Sequence, residues 1–246
     1  MSGRGARKTK TNGSSLREAL LTALFVLAAV LFITFRPQLT NFGSAGVPYG
    51  VSESGTRLPY ETVNGNVPNF EENELPKRGE IKLSELDALG RCGPAEGVIG
   101  PENAPKKKRG DVSMVHPSGW VQKTYEGIID SNPPVLYNRC HLIAHMLSGL
   151  DADERNLITG TRYMNVEGML QFEDRVDCYI EWTGNHVAYR VTPDFRADEL
   201  VARGVFMEAM SMEDGGKGLS FSVYCPNTQP GIEIDYSTGE SRRAAQ

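Results

Sequence analysis

The sequence predicts an α+β fold for residues 57–246, and two kinds of periodicity lead to that prediction. Between Tyr163 and Trp182 the apolar residues recur at helical spacing. The segments on both sides alternate between apolar and polar residues, as strands do. Folded sequence begins near Leu58, after a stretch rich in Gly, Ser and Pro. We therefore expect strands, a central helix and then an antiparallel group of strands.

The residues before this domain divide into three segments. Residues 1–18 are basic, residues 19–36 are almost wholly apolar, and residues 37–56 have the composition of a flexible linker. The apolar segment is at the lower length limit for a membrane-spanning helix, and the preceding Lys and Arg residues place the tail in the cytoplasm. We expect a transmembrane signal-anchor in the cell membrane, with residues 57–246 outside the cytoplasm. A cleaved signal peptide, which would leave the protein secreted, is the alternative.

Within the domain the predicted elements follow in order. Strands are expected at Trp120–Tyr125 and Val135–Tyr137, before the helix. Three more strands are expected after it: His186–Val191, Val205–Met210 and Leu219–Tyr224. The basic run Lys106–Arg109 lies between Pro105 and Gly110, which predicts an exposed loop, with a phosphate-steering patch as the alternative.

Composition limits the classes of function only loosely. Hydrophobic content of 39% and charged content of 23% are typical of a globular protein with a real core. The formal net charge of −5 argues mildly against a nucleic-acid partner, because phosphate neutralisation dominates non-specific binding. An enzyme escapes this argument if a bound metal and a few local cations neutralise one phosphate.

The four cysteines are Cys92, Cys140, Cys178 and Cys225, and none of them forms a CxxC pair. This spacing argues against a zinc-ribbon site. In an exported protein they could form up to two disulfides in any of three pairings, and free buried cysteines are the alternative.

The segment around His141 allows several interpretations. His141 and His145 have the spacing of a zinc pair, but Leu142 stands where zinc peptidases of the HExxH type need their catalytic Glu. Cys140 and His141 are adjacent, so they make a poor nucleophile and base pair. His141 could instead be a general base at the end of a strand, next to the anion-binding Arg139. A structural histidine in a loop is the remaining alternative.

A longer pattern favours the general base. The segment Asn138–His141 resembles the Asp-Arg-Gly-His motif of the DNA/RNA non-specific endonuclease family. The downstream residues Asn156, Arg162, Asn165 and Glu173 resemble the second half of that motif. These ββα-metal, or His-Me finger, nucleases include secreted bacterial DNases and DNA-entry nucleases. The resemblance implies a ββα-metal core at residues 113–181 with additional antiparallel strands, and it does not cover the first 56 residues.

Two positions depart from the motif. Asn138 stands where the family usually has Asp, and Cys140 stands where it usually has Gly. Asn138 removes a carboxylate that could support Arg139, whereas Cys140 adds a side chain beside His141. Neither change removes a residue with a direct chemical role.

The resemblance also implies a metal site. Asn165 corresponds to the direct protein ligand of one Mg²⁺ (or Mn²⁺), and Glu173 to a residue that holds the water molecules around that ion. Magnesium retains most of its waters, so one amide oxygen and the substrate phosphate can suffice. On an ideal helix the two residues lie about 80° apart and two turns along the axis.

The catalytic roles implied by the resemblance are distributed over the motif. His141 corresponds to the general base, for which a neutral imidazole near pH 7 is suited. Arg139 would bind phosphate and stabilise the transition state, Asn156 would help to arrange the site, and Arg162 would contact phosphate. We expect a metal-dependent, sequence-non-specific endonuclease that hydrolyses DNA and RNA outside the cytoplasm and leaves 5′-phosphates.

Two functions of other classes remain open. A non-catalytic surface receptor for nucleic acid could use the same fold, and the net charge and the apolar segment are compatible with a structural protein of the cell envelope. The expected partners are DNA and RNA as substrates and the membrane through residues 19–36; no sequence feature indicates a protein partner.

Overall fold

A computed structural model describes residues 58–71 and 73–245. The basic tail, the apolar segment and the linker, residues 1–56, lie outside the described residues, and so does the predicted signal-anchor. In the part of the chain that is described, no helix has the length and apolar character needed to cross a membrane.

The described chain combines a large antiparallel sheet, two separate strand pairs and a long helix. The strands, in chain order, are β1 (Glu61–Thr62), β2 (Ile81–Leu83), β3 (Ala95–Ile99), β4 (Tyr137–His141), β5 (Leu157–Thr161), β6 (Val187–Pro193), β7 (Gly204–Ser211), β8 (Ser220–Pro226), β9 (Ile232–Ile234) and β10 (Ser241–Arg243). The α-helices are α1 (His145–Ser148) and α2 (Leu170–Thr183). Six strands form the large sheet in the order β1-β8-β7-β6-β3-β2, and the two separate pairs are β4–β5 and β9–β10. The mixed α and β architecture confirms the predicted class.

The main core lies where α2 packs against the large sheet. Phe172 and Val176 of α2 are buried in one cluster with Tyr189 of β6 and Phe221 of β8. The Phe172 and Phe221 rings lie 5.0 Å apart between centroids. The alternating strands predicted after the helix are found as β6, β7 and β8, within two residues of the expected ends.

The strand pair β4–β5 carries the motif and precedes the helix directly. In its antiparallel register Arg139 pairs with Thr159 and His141 pairs with Leu157. The loop between the strands contains α1. Two antiparallel strands and a helix therefore follow one another along the chain, and His141 is the last residue of the first strand.

The helix predicted over Tyr163–Trp182 is present but is not regular. Met164–Met169 form a π turn, in which the N–H of Leu170 donates to the carbonyl oxygen of Asn165, five residues earlier. The helix then continues as α2 and ends at Gly184, whose φ of 69° is the left-handed conformation that glycine favours at this position.

The strand predicted at Trp120–Tyr125 is wrong. Only Thr124 forms a bridge, to Val135, and the first strand of the motif unit begins at Tyr137. The reason is a side chain: the amide of Gln122 donates to the Tyr137 carbonyl at 2.5 Å and accepts from the Tyr137 N–H at 2.9 Å. A side chain thus replaces the backbone ladder, and the ββα unit starts later than the expected residue 113.

All four cysteines are free in the structure, with Cys92, Cys140 and Cys225 buried and Cys178 exposed. Of the two alternatives for the cysteines, the structure therefore shows free thiols.

Candidate active site and metal site

His141 is held in one tautomer at the end of β4. Its Nε2 lies 2.9 Å from the backbone carbonyl oxygen of Asp151. A carbonyl can only accept, so Nε2 carries the proton and Nδ1 keeps its lone pair. Only 6% of His141 is exposed, and this burial lowers the pKa of its imidazole, with Arg109 and His145 adding to the effect. The hydrogen bond to the Asp151 carbonyl opposes this effect, but the net change lowers the pKa of His141. The ring is therefore neutral near pH 7 and can accept a proton at Nδ1.

Arg109 faces this lone pair. Its Nη2 lies 3.3 Å from His141 Nδ1, and because a guanidinium has no acceptor, Arg109 is the donor. Its positive charge also acts on the Cys140 thiol and the Glu173 carboxyl group, so it is a common neighbour of these residues. In the sequence Arg109 stands out only as part of the basic run Lys106–Arg109, and its position in the site was not predicted. The sequence feature that could have indicated it was the basic run itself, for which a phosphate-steering patch was the alternative to a solvated loop.

Asp151 ties the Arg109 loop to His141 and was also missed. Its Oδ1 accepts from the Gly110 N–H at 2.8 Å and lies 3.3 Å from His145 Nε2, while its carbonyl holds His141. A Cβ added to Gly110 would lie 2.9 Å from Asp151 Oδ2, so the close approach favours glycine there. These contacts fix Gly110, the residue after Arg109, against Asp151, which orients His141.

The zinc-pair interpretation of His141 and His145 is wrong. Both Nε2 atoms turn towards Asp151, one to its carbonyl and one to its carboxylate. Within residues 58–71 and 73–245 no three His, Cys, Asp or Glu side chains are arranged to hold a metal ion.

Arg139 holds the loop that follows Arg109. Its guanidinium donates to the Val115 carbonyl, and through Nη2 to the Ser113 carbonyl at 2.6 Å. It also stacks over the Trp120 ring, with 4.3 Å to the centroid. Carbonyl oxygens and an aromatic face therefore support this arginine, and the carboxylate that Asn138 lacks is not needed for that purpose.

Asn156 supports the backbone after His141 with its whole amide. Its Oδ1 accepts from the Ile143 N–H at 2.9 Å, and its Nδ2 donates to the Ile143 carbonyl at 2.9 Å. The residue is fully buried. Both ends of the side chain are used, so Asn156 shapes the site through the backbone rather than through contact with a ligand.

Asn165 and Glu173 lie on the helix that follows β5. The Asn165 Oδ1 is 2.9 Å from the Cys140 Sγ. The Glu173 side chain is buried, its carboxylate has no hydrogen bond to a described residue, and its oxygens keep some contact with solvent. Burial raises the pKa of Glu173 to about 8, Asp174 adds to the rise, and Arg109 opposes it. A buried carboxylate without a partner is costly, unless a cation or ordered water lies against it.

The π turn changes the phase between Asn165 and Glu173 around the helix axis. One extra residue in the turn makes their eight-residue separation equivalent to about seven α-helical steps, or about 20° around the axis rather than about 80°. Both residues interact with Cys140, Asn165 by the contact above and Glu173 electrostatically.

These donors fit a hard divalent cation. An amide oxygen and a buried carboxylate are oxygen ligands of the kind that Mg²⁺ and Mn²⁺ prefer. Arg109 thus contacts His141, Asn165 contacts the adjacent Cys140, and the charge of Glu173 raises the pKa of the Cys140 thiol. The backbone N–H of Arg162 donates to the Leu136 carbonyl, and the Arg162 side chain forms no hydrogen bond with the described residues.

Several solved structures are similar to this chain in fold and in sequence. The chain is similar to NucA from Streptococcus agalactiae, solved with magnesium bound, at 25% identity and a TM-score of 0.66, over 81% of this chain and 91% of that one. It is similar to the Sda1 nuclease with bound zinc at 25% identity and a TM-score of 0.63, over 75% and 96% of the two chains.

Sequence comparison adds a curated relative and a family. A deoxyribonuclease of Streptococcus dysgalactiae subsp. equisimilis is 34% identical over 109 residues, which are 42% of this chain and 32% of that protein. The match thus spans about a third of the length of that relative. The family described as DNA/RNA non-specific endonuclease matches residues 69–213, more than half of the chain and the whole of the β4–β5–helix unit. The chain therefore belongs to the DNA/RNA non-specific endonuclease family.

Proposed function

We propose that this chain is a metal-dependent endonuclease that hydrolyses phosphodiester bonds of DNA and RNA without sequence specificity, with His141 as general base. The observation that carries the proposal is the His141 ring, whose Nε2 is fixed on the Asp151 carbonyl while Nδ1 faces Arg109 at 3.3 Å. A base whose lone pair faces a permanent cation, which can move to a phosphate oxygen, suits the attack of water on a phosphate.

The proton moves along a defined path in this proposal. A water molecule transfers its proton to His141 Nδ1 as its oxygen attacks phosphorus, and the Asp151 carbonyl stabilises the resulting imidazolium through Nε2. Arg109 exchanges its contact with Nδ1 for a phosphate oxygen when substrate enters. Its guanidinium then opposes the negative charge that develops on the phosphate. The bond between phosphorus and the 3′ oxygen breaks, the leaving 3′ oxygen takes a proton from solvent water, and we expect products with 5′-phosphates and 3′-hydroxyl groups.

We propose that Asn165 and Glu173 hold one Mg²⁺ or Mn²⁺, Asn165 through its amide oxygen and Glu173 through water. The bound ion supplies positive charge next to the scissile phosphate. The Glu173 carboxyl group supports this assignment, because burial raises its pKa to about 8 and a nearby cation would favour its ionised form.

The other motif residues act mainly by position. The side chain of Arg139 is hydrogen-bonded to the backbone at Val115, and that of Asn156 to the backbone at Ile143. We therefore propose that these two side chains fix the backbone segments beside His141. Arg139 also keeps its predicted contact with phosphate as a proposal, since Nη1 forms no hydrogen bond with the described residues. Arg162 remains a predicted phosphate contact.

We also propose that the enzyme works outside the cytoplasm, anchored in the cell membrane through residues 19–36 or secreted after cleavage. The basic residues before the apolar segment support this orientation. A tagged full-length protein should fractionate with membranes if it is anchored, whereas a shortened species found only in the medium would indicate cleavage.

An in-gel nuclease assay with and without EDTA tests the function. The wild-type protein should degrade both DNA and RNA with Mg²⁺ and lose activity with EDTA. His141→Ala should lose about 10²–10⁴-fold in rate, as is typical when a general base is removed. His116→Ala is the matched control, because His116 is exposed and its side chain forms no hydrogen bond with the described residues. Binding of nucleic acid without cleavage would favour the receptor alternative instead.

A further inference from the structure

We propose that Cys140 is a positioning residue for the metal ligand: its thiol donates a hydrogen bond to Asn165 Oδ1 and sets the orientation of that amide. The inference rests on the proposed function, since it assumes that Asn165 binds the cation. It concerns a residue by which this chain departs from the motif, where glycine is usual.

The contact is direct and has one good acceptor. Cys140 Sγ lies 2.9 Å from Asn165 Oδ1, 3.4 Å from Met169 Sδ and 3.9 Å from the His141 carbonyl oxygen, so the amide oxygen is the nearest acceptor. A thiol has a single proton, and an amide oxygen is a stronger acceptor than a thioether. The amide oxygen has two lone pairs, so it can accept from the thiol and still bind a cation.

The side chain of Cys140 occupies a space that the neighbouring strand leaves for it. Cys140 is completely buried. A Cβ added to Gly160 on β5 would lie 2.7 Å from the Cys140 Cβ and 2.8 Å from the Met164 Cε. The chain therefore has a side chain where the motif has glycine, and glycine where a side chain would collide with it.

The hydrogen bond distinguishes the two ends of the Asn165 amide. The oxygen and the NH₂ group have nearly the same size, so packing alone does not select between them. A donor at Cys140 favours the oxygen there and opposes rotation of the side chain. Without this donor, the Asn165 amide also adopts the flipped orientation, in which its NH₂ group faces the cation site. The amide must then rotate back before its oxygen can bind the cation. Loss of support around a metal ligand typically weakens affinity about 10–100-fold, and the weak thiol donor places the effect near about 10-fold.

The test measures metal affinity without nucleic acid. Mn²⁺ is titrated into the purified full-length protein, and free Mn²⁺ is followed by electron paramagnetic resonance. Cys140→Ala removes the donor, Cys140→Ser retains one, and Asn165→Ala removes the ligand. Cys225→Ala is the matched control, because Cys225 is equally buried and its Sγ contacts a thioether, Met207 Sδ, at 3.6 Å.

The expected result is weaker Mn²⁺ binding by about 10-fold in Cys140→Ala, near wild-type affinity in Cys140→Ser, and no change in Cys225→Ala. Equal affinity of Cys140→Ala and wild type would overturn the inference, and so would equal weakening in both alanine variants. If Cys140→Ala does not fold, Cys140→Gly restores the residue of the motif and should show the same loss. Wild-type binding that Asn165→Ala leaves unchanged would instead overturn the proposed metal site.

Discussion

Replacing Arg109 tests whether one positioned cation carries the phosphate chemistry of an acidic protein. Its Nη2 is 3.3 Å from the Nδ1 of the base, so a phosphate whose attacking water lies at His141 comes within reach of the same guanidinium. Removing one donor that is aimed at developing negative charge typically costs about 10²–10³-fold in kcat. Arg109 lies on an exposed loop, where water screens its charge. We therefore expect Arg109→Ala to lose about 100-fold in kcat/KM.

The assay compares hydrolysis of a fluorescent single-stranded DNA by Arg109→Ala, Arg109→Lys and Lys108→Ala. Lys108 is the adjacent residue of the basic run and is exposed, so it controls for the loss of one charge from the loop. Lys108→Ala should change kcat/KM by less than about threefold at moderate salt, because screening weakens exposed charges. Arg109→Lys should recover part of the rate, since it restores charge without the fork. Equal losses in Arg109→Ala and Lys108→Ala would refute the reasoning and leave only a general basic patch.

Three further results are expected. Because burial lowers the pKa of His141 from its ordinary value of 6.5, the base stays neutral and kcat/KM stays high down to a pH below 6.5; an acid limb above that value contradicts the environment described. Asn165→Ala should abolish metal-dependent cleavage, whereas Glu173→Ala should lose about 10–100-fold and recover partly at high Mg²⁺, as a metal series would reveal. Asn156→Ala leaves the Ile143 N–H and C=O unpaired in the core, so urea unfolding should report a loss of about 3 kcal/mol, and wild-type stability would exclude the bracing role.

Periodicity predicted most of the fold because burial enforces it. In the large sheet β7 alternates in burial, β6 and β8 each contain a run of three buried residues, and the helix buries Phe172 and Val176 against the sheet. The segment at Trp120–Tyr125 has the composition of a strand, yet the Gln122 side chain takes the backbone partners of Tyr137. Propensity cannot foresee such a replacement, because it depends on a contact between distant residues.

The site was only partly predictable for a related reason. His141, Asn165 and Glu173 lie in one motif whose spacing is local, whereas Arg109 reaches the base from 32 positions earlier. Asp151 acts through its backbone carbonyl, which any residue type could supply, so its identity gives little signal. The π turn was equally hidden, and it changes the phase between Asn165 and Glu173.

The loop from Arg109 to Val115 shows why a net charge of −5 does not weaken the proposal. Asp151 holds one end of this loop through the Gly110 N–H, and Arg139 holds the other end through two carbonyl oxygens. The loop is therefore fixed at both ends before substrate arrives. The conformational entropy of the segment that carries Arg109 is thus lost during folding and not during substrate binding. Catalysis responds to a cation that is already in place at the reacting phosphate rather than to the total charge. Total charge governs non-specific affinity and its dependence on salt, a separate property that the exposed residues Lys106–Lys108 would tune.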